Sequence, residues 1–153
     1  VLQKLTELGV ARIVPMESEH SATLEERDAS QKKSHRWPDL ISKASRQCRR
    51  AMLPQLMSVH SFAEALLSAE SAELKLMLYE GAATWTLTEG FGSFKPRSVA
   101  LLVGPEGGFS LEEVERAQAV GFLPVSLGPR ILRTETAAIV ASAIVQSYLG
   151  DLG

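Results

Sequence analysis

The sequence predicts an α/β domain with a mostly parallel sheet flanked by helices. Apolar runs of strand length alternate along the chain with segments of helical periodicity, which is the order of β-α-β folds. Residues 98–103 are apolar almost throughout, as expected of a strand that helices cover on both faces. A length of 153 residues suits one domain with a substantial core.

The first third of the chain predicts a short helix, a strand and a longer helix. Apolar residues at helical spacing stop at Gly9, and the apolar run 11–15 ends in proline, which is typical of a strand. Residues 16–31 are polar and acidic, so a loop is predicted there. Residues 32–50 have helical character, and Pro38 is best accommodated in the first turn of that helix.

The middle of the chain alternates between strand and helix signals. The segments 56–59 and 74–79 are short and apolar, so both are predicted as strands. Between them, Ser61 is expected to cap a helix that continues to about Ala69. Residues 80–97 contain several glycines and are predicted as a loop.

The C-terminal third has the clearest signals. Ser110 and Glu113 have the spacing of a capping box, and Gly121 closes the helix that they open. Another strand is predicted at 123–127, followed by a turn. The final helix is predicted at 134–149, because its apolar positions form one continuous stripe.

Composition excludes several classes of protein. No apolar run approaches the roughly 18 residues of a membrane span. The single Cys48 excludes a disulfide framework and favours a reducing, cytoplasmic setting. His35 and His60 have no partners at metal-ligand spacing, so no metal site is predicted. The chain starts at Val1 within a helical pattern, which suggests a fragment of a longer protein.

The formal charge of −2 hides a strongly basic segment. Residues 32–50 contain seven basic residues and one acidic residue, a balance of +6, whereas the rest of the chain carries −8. Such a segment could neutralise several phosphates of an RNA, and a solvated helix face explains the charge equally well. The candidate RNA-binding residues are Arg36, Lys43, Arg46, Arg49, Arg50 and, from the loop after the last strand, Arg130.

A glycine-containing loop, 104–108, lies between the apolar strand and the capped helix. Open α/β sheets bind ligands at this place, beyond the carboxyl ends of their strands. The spacing matches neither a dinucleotide-binding fingerprint nor a P-loop, and Glu106 within the loop disfavours a phosphate. A tight strand-to-helix connection without a ligand would explain the glycines equally well.

A second loop places two arginines around two large aliphatic residues. Arg130 and Arg133 flank Ile131 and Leu132, immediately before Thr134, which is expected to cap the final helix. The aliphatic pair could form the wall of an apolar slot for an adenine ring, while an arginine holds RNA or polarises a substrate. A hydrophobic staple at the helix entry would explain Leu132 but not Arg133.

The final helix carries small residues that would allow close packing against another helix. The stripe consists of Ala137, Ala141 and Ala143 beside Val140, Ile144 and Tyr148. Burial within the chain and contact with a second copy of it are equally good explanations of this pattern.

Three segments of the chain form a specific combination. They are Lys4-Leu5-Thr6-Glu7-Leu8-Gly9-Val10, Gly104-Pro105-Glu106-Gly107-Gly108-Phe109-Ser110 and Leu127-Gly128-Pro129-Arg130-Ile131-Leu132-Arg133-Thr134-Glu135-Thr136-Ala137. In this order, and over nearly the whole chain, they resemble the RsmE family of 16S rRNA uridine-N3 methyltransferases. The resemblance implies the SPOUT fold, with a deep trefoil knot near the C-terminus, and a homodimer. Residues 1–153 would be the SPOUT methyltransferase domain, without the family's N-terminal PUA-like RNA-binding domain.

The resemblance also implies S-adenosylmethionine as the cofactor and 16S rRNA in the small ribosomal subunit as the partner. SPOUT enzymes bend this cofactor and hold it mainly through backbone groups of three loops that follow strands. The implied cofactor-binding residues are Leu78, Tyr79, Glu80, Val103, Gly104, Pro105, Glu106, Gly107, Leu127, Gly128, Pro129, Ile131, Leu132, Thr136 and Ala137.

The implied reaction is methylation of uridine N3, which must lose its imide proton as the nitrogen attacks the sulfonium methyl group. A cation beside the base would stabilise the developing anion. Arg133 is the first candidate for this role, with Glu135 as a base or as the residue that positions the arginine. Glu106 is the alternative acid-base group. A catalytically silent RNA-binding or dimerisation module, another SPOUT RNA methyltransferase and a Rossmann-like or flavodoxin-like nucleotide-binding domain are the alternatives.

The chain departs from the family at one place. Family members commonly carry Ser-Glu-Arg followed by Ser or Cys after the first strand, where this chain has Ser18-Glu19-His20-Ser21. If the family's arginine contacts RNA or substrate, His20 would be a weaker, pH-dependent substitute.

Overall fold

The computed structural model describes residues 1–21, 34–81, 85–93 and 95–153. In these ranges the strands are β1 (Arg12–Ile13), β2 (Met16–Glu17), β3 (Gln55–Leu56), β4 (His60–Ser61), β5 (Leu74–Leu78), β6 (Trp85–Thr86), β7 (Val99–Val103) and β8 (Leu123–Ser126). The α-helices are α1 (Leu2–Glu7), α2 (Trp37–Gln47), α3 (Phe62–Ser68), α4 (Leu87–Gly90), α5 (Leu111–Ala119) and α6 (Thr134–Leu149). The predicted alternation of strands and helices is confirmed.

The main sheet has four strands in the order β6-β8-β5-β7, and each neighbouring pair is parallel. β5 lies inside the sheet, where Leu76 pairs with Leu101 on one side and with Leu123 on the other. Because the strands are parallel, the carboxyl ends of β5, β7 and β8 lie at one edge of the sheet. The predicted class, an α/β fold with a parallel sheet, is confirmed.

Two smaller parallel pairs precede the main sheet, since β1 pairs with β3 and β2 pairs with β4. The strand predicted at 11–15 is confirmed only at β1, and a division at residues 14 and 15 separates β1 from β2, which lies in the predicted loop 16–31. Pro15 lies at the division and has no N–H group to donate to a ladder, although its carbonyl accepts a hydrogen bond from the His60 N–H group at 2.9 Å.

Both faces of the main sheet are buried, as the apolar run 98–103 predicts. Leu76 and Met77 are neighbours on β5, belong to different cores and are both 0% exposed. The core formed with α3 and α5 consists of Phe62, Leu66, Met77, Leu102, Phe109, Val114, Ala117 and Phe122. The core formed with α4 and α6 consists of Leu76, Leu87, Phe91, Val125 and Ala141.

The loop predicted at 80–97 is wrong in its middle part, because β6 and α4 lie there. The Thr86 hydroxyl accepts a hydrogen bond from the Glu89 N–H group, and the Glu89 carboxylate accepts one from the Thr86 N–H group, so a capping box starts α4. Gly90 packs so closely on β8 that a Cβ atom there would lie 2.9 Å from Val125 Cγ1. This glycine, which suggested a loop, is required by helix-to-sheet packing.

The predicted N-cap of Ser61 and the predicted capping box of Ser110 and Glu113 are both confirmed. Ser61 caps α3, which ends at Ser68, close to the predicted end. At the start of α5, Ser110 Oγ accepts a hydrogen bond from the Glu113 N–H group and the Glu113 carboxylate accepts one from the Ser110 N–H group. Gly121 follows α5 with a φ of +94°, a left-handed conformation that commonly ends helices.

α6 has the predicted bounds, but the capping role expected of Thr134 is wrong. Arg133 occupies the N-cap position, and Thr134 is the first residue of the helix. The Thr134 hydroxyl instead donates a hydrogen bond to the Gly104 carbonyl at 2.9 Å. The hydroxyl therefore links the start of α6 to the loop after β7 and does not cap the helix.

α2 is shorter than the basic segment that predicted it. Pro38 lies in the first turn, as predicted, and a 3-10 turn at Ser34–Arg36 leads into the helix. The helix ends at Gln47, and Arg49 adopts a φ of +58°, which is uncommon for a residue with a side chain.

Two other predictions are settled in part. The loop predicted at 16–31 is wrong at β2, and residues 22–31 lie outside the described residues, as do Lys32 and Lys33 of the basic segment. Within the described ranges, each helix is too short or too polar to cross a membrane.

Candidate functional site

A cavity of about 270 Å³ lies at the carboxyl ends of β5, β7 and β8. The loops that follow these three strands form its walls, together with the first turns of α6. Its lining residues are Leu78, Tyr79, Glu80, Gly81, Val103, Gly104, Pro105, Glu106, Gly107, Gly108, Phe109, Val125, Ser126, Leu127, Gly128, Arg130, Ile131, Leu132, Thr134 and Ala137. The cavity, called the three-loop pocket below, is where parallel α/β sheets bind their ligands.

Most of the residues that the family resemblance assigned to cofactor binding line the three-loop pocket. Among the described residues, Pro129 and Thr136 are the two assigned positions that lie outside the lining. Residues missed by the sequence reasoning are Gly81, Gly108, Phe109, Val125, Ser126 and Thr134. All but Val125 are chain neighbours of an assigned residue or lie within one of the three motifs, and Val125 lies in the strand predicted at 123–127.

Two hydrogen bonds connect the loops around the pocket. Thr134 Oγ1 donates to the Gly104 carbonyl at 2.9 Å and so ties the start of α6 to the loop after β7. The Leu132 N–H group donates to Glu80 Oε1 at 3.3 Å, which ties the loop after β8 to the loop after β5. The loop after β8 is therefore fastened to both of the other walls.

The glycines of the loop after β7 have different structural roles. The Gly108 N–H group donates to the Pro105 carbonyl at 2.9 Å and closes a tight turn, in which Gly108 has a φ of +71°. Gly104 lies against the buried ring of Phe109, and a Cβ atom there would be 3.0 Å from the ring. Small residues thus bring the peptide backbone to the pocket surface.

The candidate catalytic residues lie at the pocket or beside it. Glu106 lines the pocket and is exposed. Arg133 and Glu135 are exposed and flank Thr134, one at the N-cap and the other in the first turn of α6. The structure thus places Arg133 between two lining residues, Leu132 and Thr134, without making it part of the lining.

Most of the predicted RNA-binding residues are exposed. Arg36, Lys43, Arg46 and Arg49 are exposed on or beside α2, and the exposed Arg130 lines the three-loop pocket.

Arg50 is half-buried, unlike the other residues of the predicted set. Its guanidinium donates hydrogen bonds to the carbonyls of Thr6 at 3.1 Å and Gly9 at 3.3 Å, at the end of α1. These bonds satisfy helix-terminal carbonyls and hold α1 against the end of α2.

Cys48 is half-buried at the end of α2, and its thiol donates to the Ser45 carbonyl at 3.6 Å. No cluster of three or more histidine, cysteine, aspartate or glutamate side chains that could hold a metal ion occurs in the described ranges.

Fold and site together define a parallel α/β domain with a pocket beyond its strand ends, lined by the loops that follow three strands. The chain belongs to the RNA methyltransferase domain family, whose model matches residues 1–146. It is 36% identical over 151 residues to the ribosomal RNA small subunit methyltransferase E of Buchnera aphidicola from Schizaphis graminum, and 32% identical over 157 residues to that of Bacillus subtilis. These alignments cover 99% of this chain, which spans 60% and 61% of the two relatives. The resemblance to the RsmE family is confirmed.

Solved structures of methyltransferases have a fold similar to that of this chain. A methyltransferase of Legionella pneumophila in complex with bound SAM (S-adenosylmethionine) superposes with a TM-score of 0.81 and 38% identity, over 96% of this chain and 59% of that one. The ribosomal RNA small subunit methyltransferase E of Neisseria gonorrhoeae, bound to S-adenosyl methionine, has a TM-score of 0.81 and 33% identity, over 99% of this chain and 61% of that one.

Proposed function

We propose that this chain is the methyl-transferring domain of an S-adenosylmethionine-dependent enzyme that methylates N3 of uridine 1498, in rRNA numbering, in 16S rRNA of the small ribosomal subunit. The observation that carries the proposal is the three-loop pocket, built from motifs of a family to which the chain belongs. Further support comes from similar structures that hold this cofactor.

The residues of the pocket suit S-adenosylmethionine. Leu78, Val103, Leu127 and Leu132 supply apolar side chains for an adenine ring, and glycines in all three loops expose peptide groups for hydrogen bonds. Glu80 and Glu106 bring carboxylates to the lining, and carboxylates suit a cationic ligand better than a phosphate. The bound cofactor would supply an electrophilic methyl group on a sulfonium sulfur.

The protein's task in this reaction is to help uridine N3 lose its proton and to stabilise the resulting negative charge. Arg133 is the residue assigned to the anion, because it carries a guanidinium group between two lining residues, Leu132 and Thr134. Glu135, two residues along on α6, positions Arg133 or accepts the proton. Glu106 is the other acid-base candidate, from the opposite loop.

RNA reaches this site with its base unpaired. N3 lies on the pairing edge of uracil, so the uridine must be single-stranded or flipped out before transfer. The exposed cations of α2 hold the phosphate backbone, and Arg130 contacts RNA at the pocket entrance. The assigned RNA-binding residues are Arg36, Lys43, Arg46, Arg49 and Arg130.

The assembly proposed is a homodimer with the knotted SPOUT fold, acting in the cytoplasm where ribosomes are assembled. Ala137 and Ala141 of the small-residue stripe are buried within the chain, which supports the intramolecular explanation for them. Val140 and Tyr148 on the same helix are 36% and 58% exposed, and are offered as dimer contacts. A monomeric mass at micromolar concentration would contradict the dimer.

The experiment that tests the proposal measures binding and transfer separately. Calorimetry with S-adenosylmethionine should detect binding, and labelled methyl groups should pass from it to unmodified small ribosomal subunits. Arg133→Ala should retain cofactor binding and lose transfer by roughly 100-fold or more, as expected when one stabilising donor is removed. The control Arg12→Ala removes an exposed arginine of β1, outside the pocket, and should behave as the wild type.

The outcomes separate the alternatives. Absence of cofactor binding by the chain would contradict the proposed enzyme and favour an RNA-binding or dimerisation module. Full transfer by Arg133→Ala would contradict the role assigned to that arginine and leave the proposed activity intact.

A further inference from the structure

A small turn after β2, residues 18–21, packs on the outside of the three-loop pocket. The turn is closed within itself, since the Ser21 N–H group donates to the Ser18 carbonyl at 3.0 Å and the Ser18 N–H group donates to Ser21 Oγ at 2.9 Å. Its exposed residue His20 reaches the loop after β7, although the two partners are 88 residues apart in the chain. The segment Ser18-Glu19-His20-Ser21 is named the docking turn below.

The docking turn contacts Gly107 and Gly108, which are two of the glycines that line the pocket. His20 Nδ1 lies 3.1 Å from the Gly108 carbonyl oxygen. A carbonyl oxygen can only accept a hydrogen bond, so Nδ1 must carry the proton that is donated.

Close packing reinforces this hydrogen bond. A Cβ atom on Gly107 would lie 2.8 Å from His20 Cβ and 3.4 Å from the His20 carbonyl oxygen. The first distance is shorter than two carbon atoms tolerate, since favourable contact between them begins near 3.5 Å. Gly107 is therefore needed for the docking turn to lie flat on the loop.

A buried carboxylate anchors the turn to the adjoining helix. Glu113 is 5% exposed, and its Oε1 atom accepts a hydrogen bond from the Glu19 N–H group at 2.9 Å. Its other oxygen, Oε2, accepts from the Ser110 N–H group at 3.0 Å. One side chain thus caps α5 and holds the docking turn, which gives His20 a fixed platform.

We propose that His20 is a positioning residue for the three-loop pocket: by holding the Gly107–Gly108 backbone in place, it sets the affinity of the pocket for S-adenosylmethionine. This inference rests on the proposed function, because it takes that cofactor as the ligand. Peptide groups that are already held in the binding geometry lose less freedom when a ligand binds, so loss of the contact weakens binding. His20 itself is not part of the pocket lining in the described ranges.

The first test compares cofactor affinity in three variants by calorimetry, with thermal unfolding measured in parallel. His20→Ala should weaken binding by about three- to tenfold, the equivalent of one ordinary hydrogen bond. His20→Asn should recover most of the affinity, because the asparagine Nδ2 donor occupies the place of histidine Nδ1. The control His60→Ala removes another histidine whose Nδ1 atom bonds to a backbone carbonyl, at Ser58, and should bind as the wild type.

The second test is a double-mutant cycle on the same binding reaction. Gly107→Ala should weaken binding strongly in the presence of His20, and much less in the background His20→Gly, where the crowded Cβ atom is absent. A purely structural role for His20 would lower the unfolding temperature without altering the affinity of the folded fraction.

The outcomes distinguish this inference from the function on which it rests. No binding by the wild type would overturn the proposed function. Binding by the wild type with equal affinity in His20→Ala, or with additive effects in the cycle, would overturn the positioning role alone. Weakened binding in His20→Ala, recovery in His20→Asn and coupling in the cycle would together support it.

Discussion

The Thr134 hydroxyl donates a hydrogen bond to the Gly104 carbonyl oxygen at 2.9 Å, and both residues line the three-loop pocket. Thr134 begins α6, whereas Gly104 follows β7, so a single bond fixes the distance between a helix start and a strand end. This bond uses the hydroxyl that the sequence assigned to helix capping. The Thr134 hydroxyl thus stabilises the pocket, and the start of α6 has no side-chain cap.

Removal of this hydroxyl should loosen the pocket. Thr134→Val keeps the shape of the side chain and leaves the Gly104 carbonyl without this donor, which should cost about 1–2 kcal/mol in free energy of unfolding and weaken cofactor binding. Thr134→Ser keeps the donor and should resemble the wild type. Urea unfolding and calorimetry are the measurements, and equal behaviour of the valine and serine variants would contradict the role of the bond.

A second link across the pocket depends on the Glu80 side chain, which accepts a hydrogen bond from the Leu132 N–H group at 3.3 Å. Glu80→Ala removes the acceptor and should weaken S-adenosylmethionine binding several-fold, because the loop that contains Leu132 is then less restrained. Glu80→Gln keeps an oxygen acceptor and should lose less affinity. If the glutamine variant were as weak as the alanine variant, the charge of Glu80 rather than the link would be responsible.

Two arginines from the same basic segment should behave differently. Arg46 is exposed on α2, and Arg46→Ala should weaken RNA binding and reduce the slope of log affinity against log salt by about 0.7–0.9 for one lost phosphate contact. The measurement is a salt titration of binding to an rRNA fragment. An unchanged slope would remove Arg46 from the RNA-binding set.

Arg50→Ala is the matched comparison, because the Arg50 guanidinium bonds to the carbonyls of Thr6 and Gly9. The loss of these charge-assisted bonds should lower the free energy of unfolding by about 1.5–3 kcal/mol. The salt slope of RNA binding should stay at the wild-type value. A reduced slope with unchanged unfolding would return Arg50 to the RNA-binding set.

The sequence was most informative where local chemistry determines structure. The capping box of Ser110 and Glu113 depends on residues three apart, so its pattern is legible without a fold. The same holds for Gly121, whose left-handed conformation ends a helix. α4 was missed because its glycine at position 90 serves packing against Val125, a contact that only the folded sheet creates.

The sequence predicted the loops of the candidate site but not the hydrogen bonds that connect them. The loops after β7 and β8 were legible as a strand end followed by glycine. The hydrogen bonds that join the pocket walls to each other and to the docking turn, in contrast, link residues 30, 52 and 88 positions apart. Such pairings follow from the order of strands in the sheet, which the alternation of elements does not specify. His20 was considered as a substitute for the family's arginine, on the condition that this arginine contacts RNA or substrate, and in the structure His20 contacts the loop after β7.

Stability should also depend on pH through the carboxylate of Glu73. It accepts hydrogen bonds from the Arg97 N–H group and from Arg97 Nε, each at 2.8 Å, and joins the start of β5 to the approach of β7. The bond from the backbone N–H group, followed by that from the side chain, lowers the pKa of Glu73 below its ordinary value of 4.5. A carboxylate with a lowered pKa in the folded state contributes stability that is fully present above the unfolded value and is lost as pH falls through the folded value.

The free energy of unfolding should therefore decline below about pH 4.5 in the wild type, and less steeply in Glu73→Gln, which has no charge to lose. Glu64 and Glu89 also have a lowered pKa, caused first by backbone hydrogen bonds from Ser61 and Thr86, and they remain in both proteins. The difference between the two urea-unfolding series therefore isolates Glu73. Parallel decline of the wild type and the variant with falling pH would mean that the bonds to Arg97 do not persist in solution.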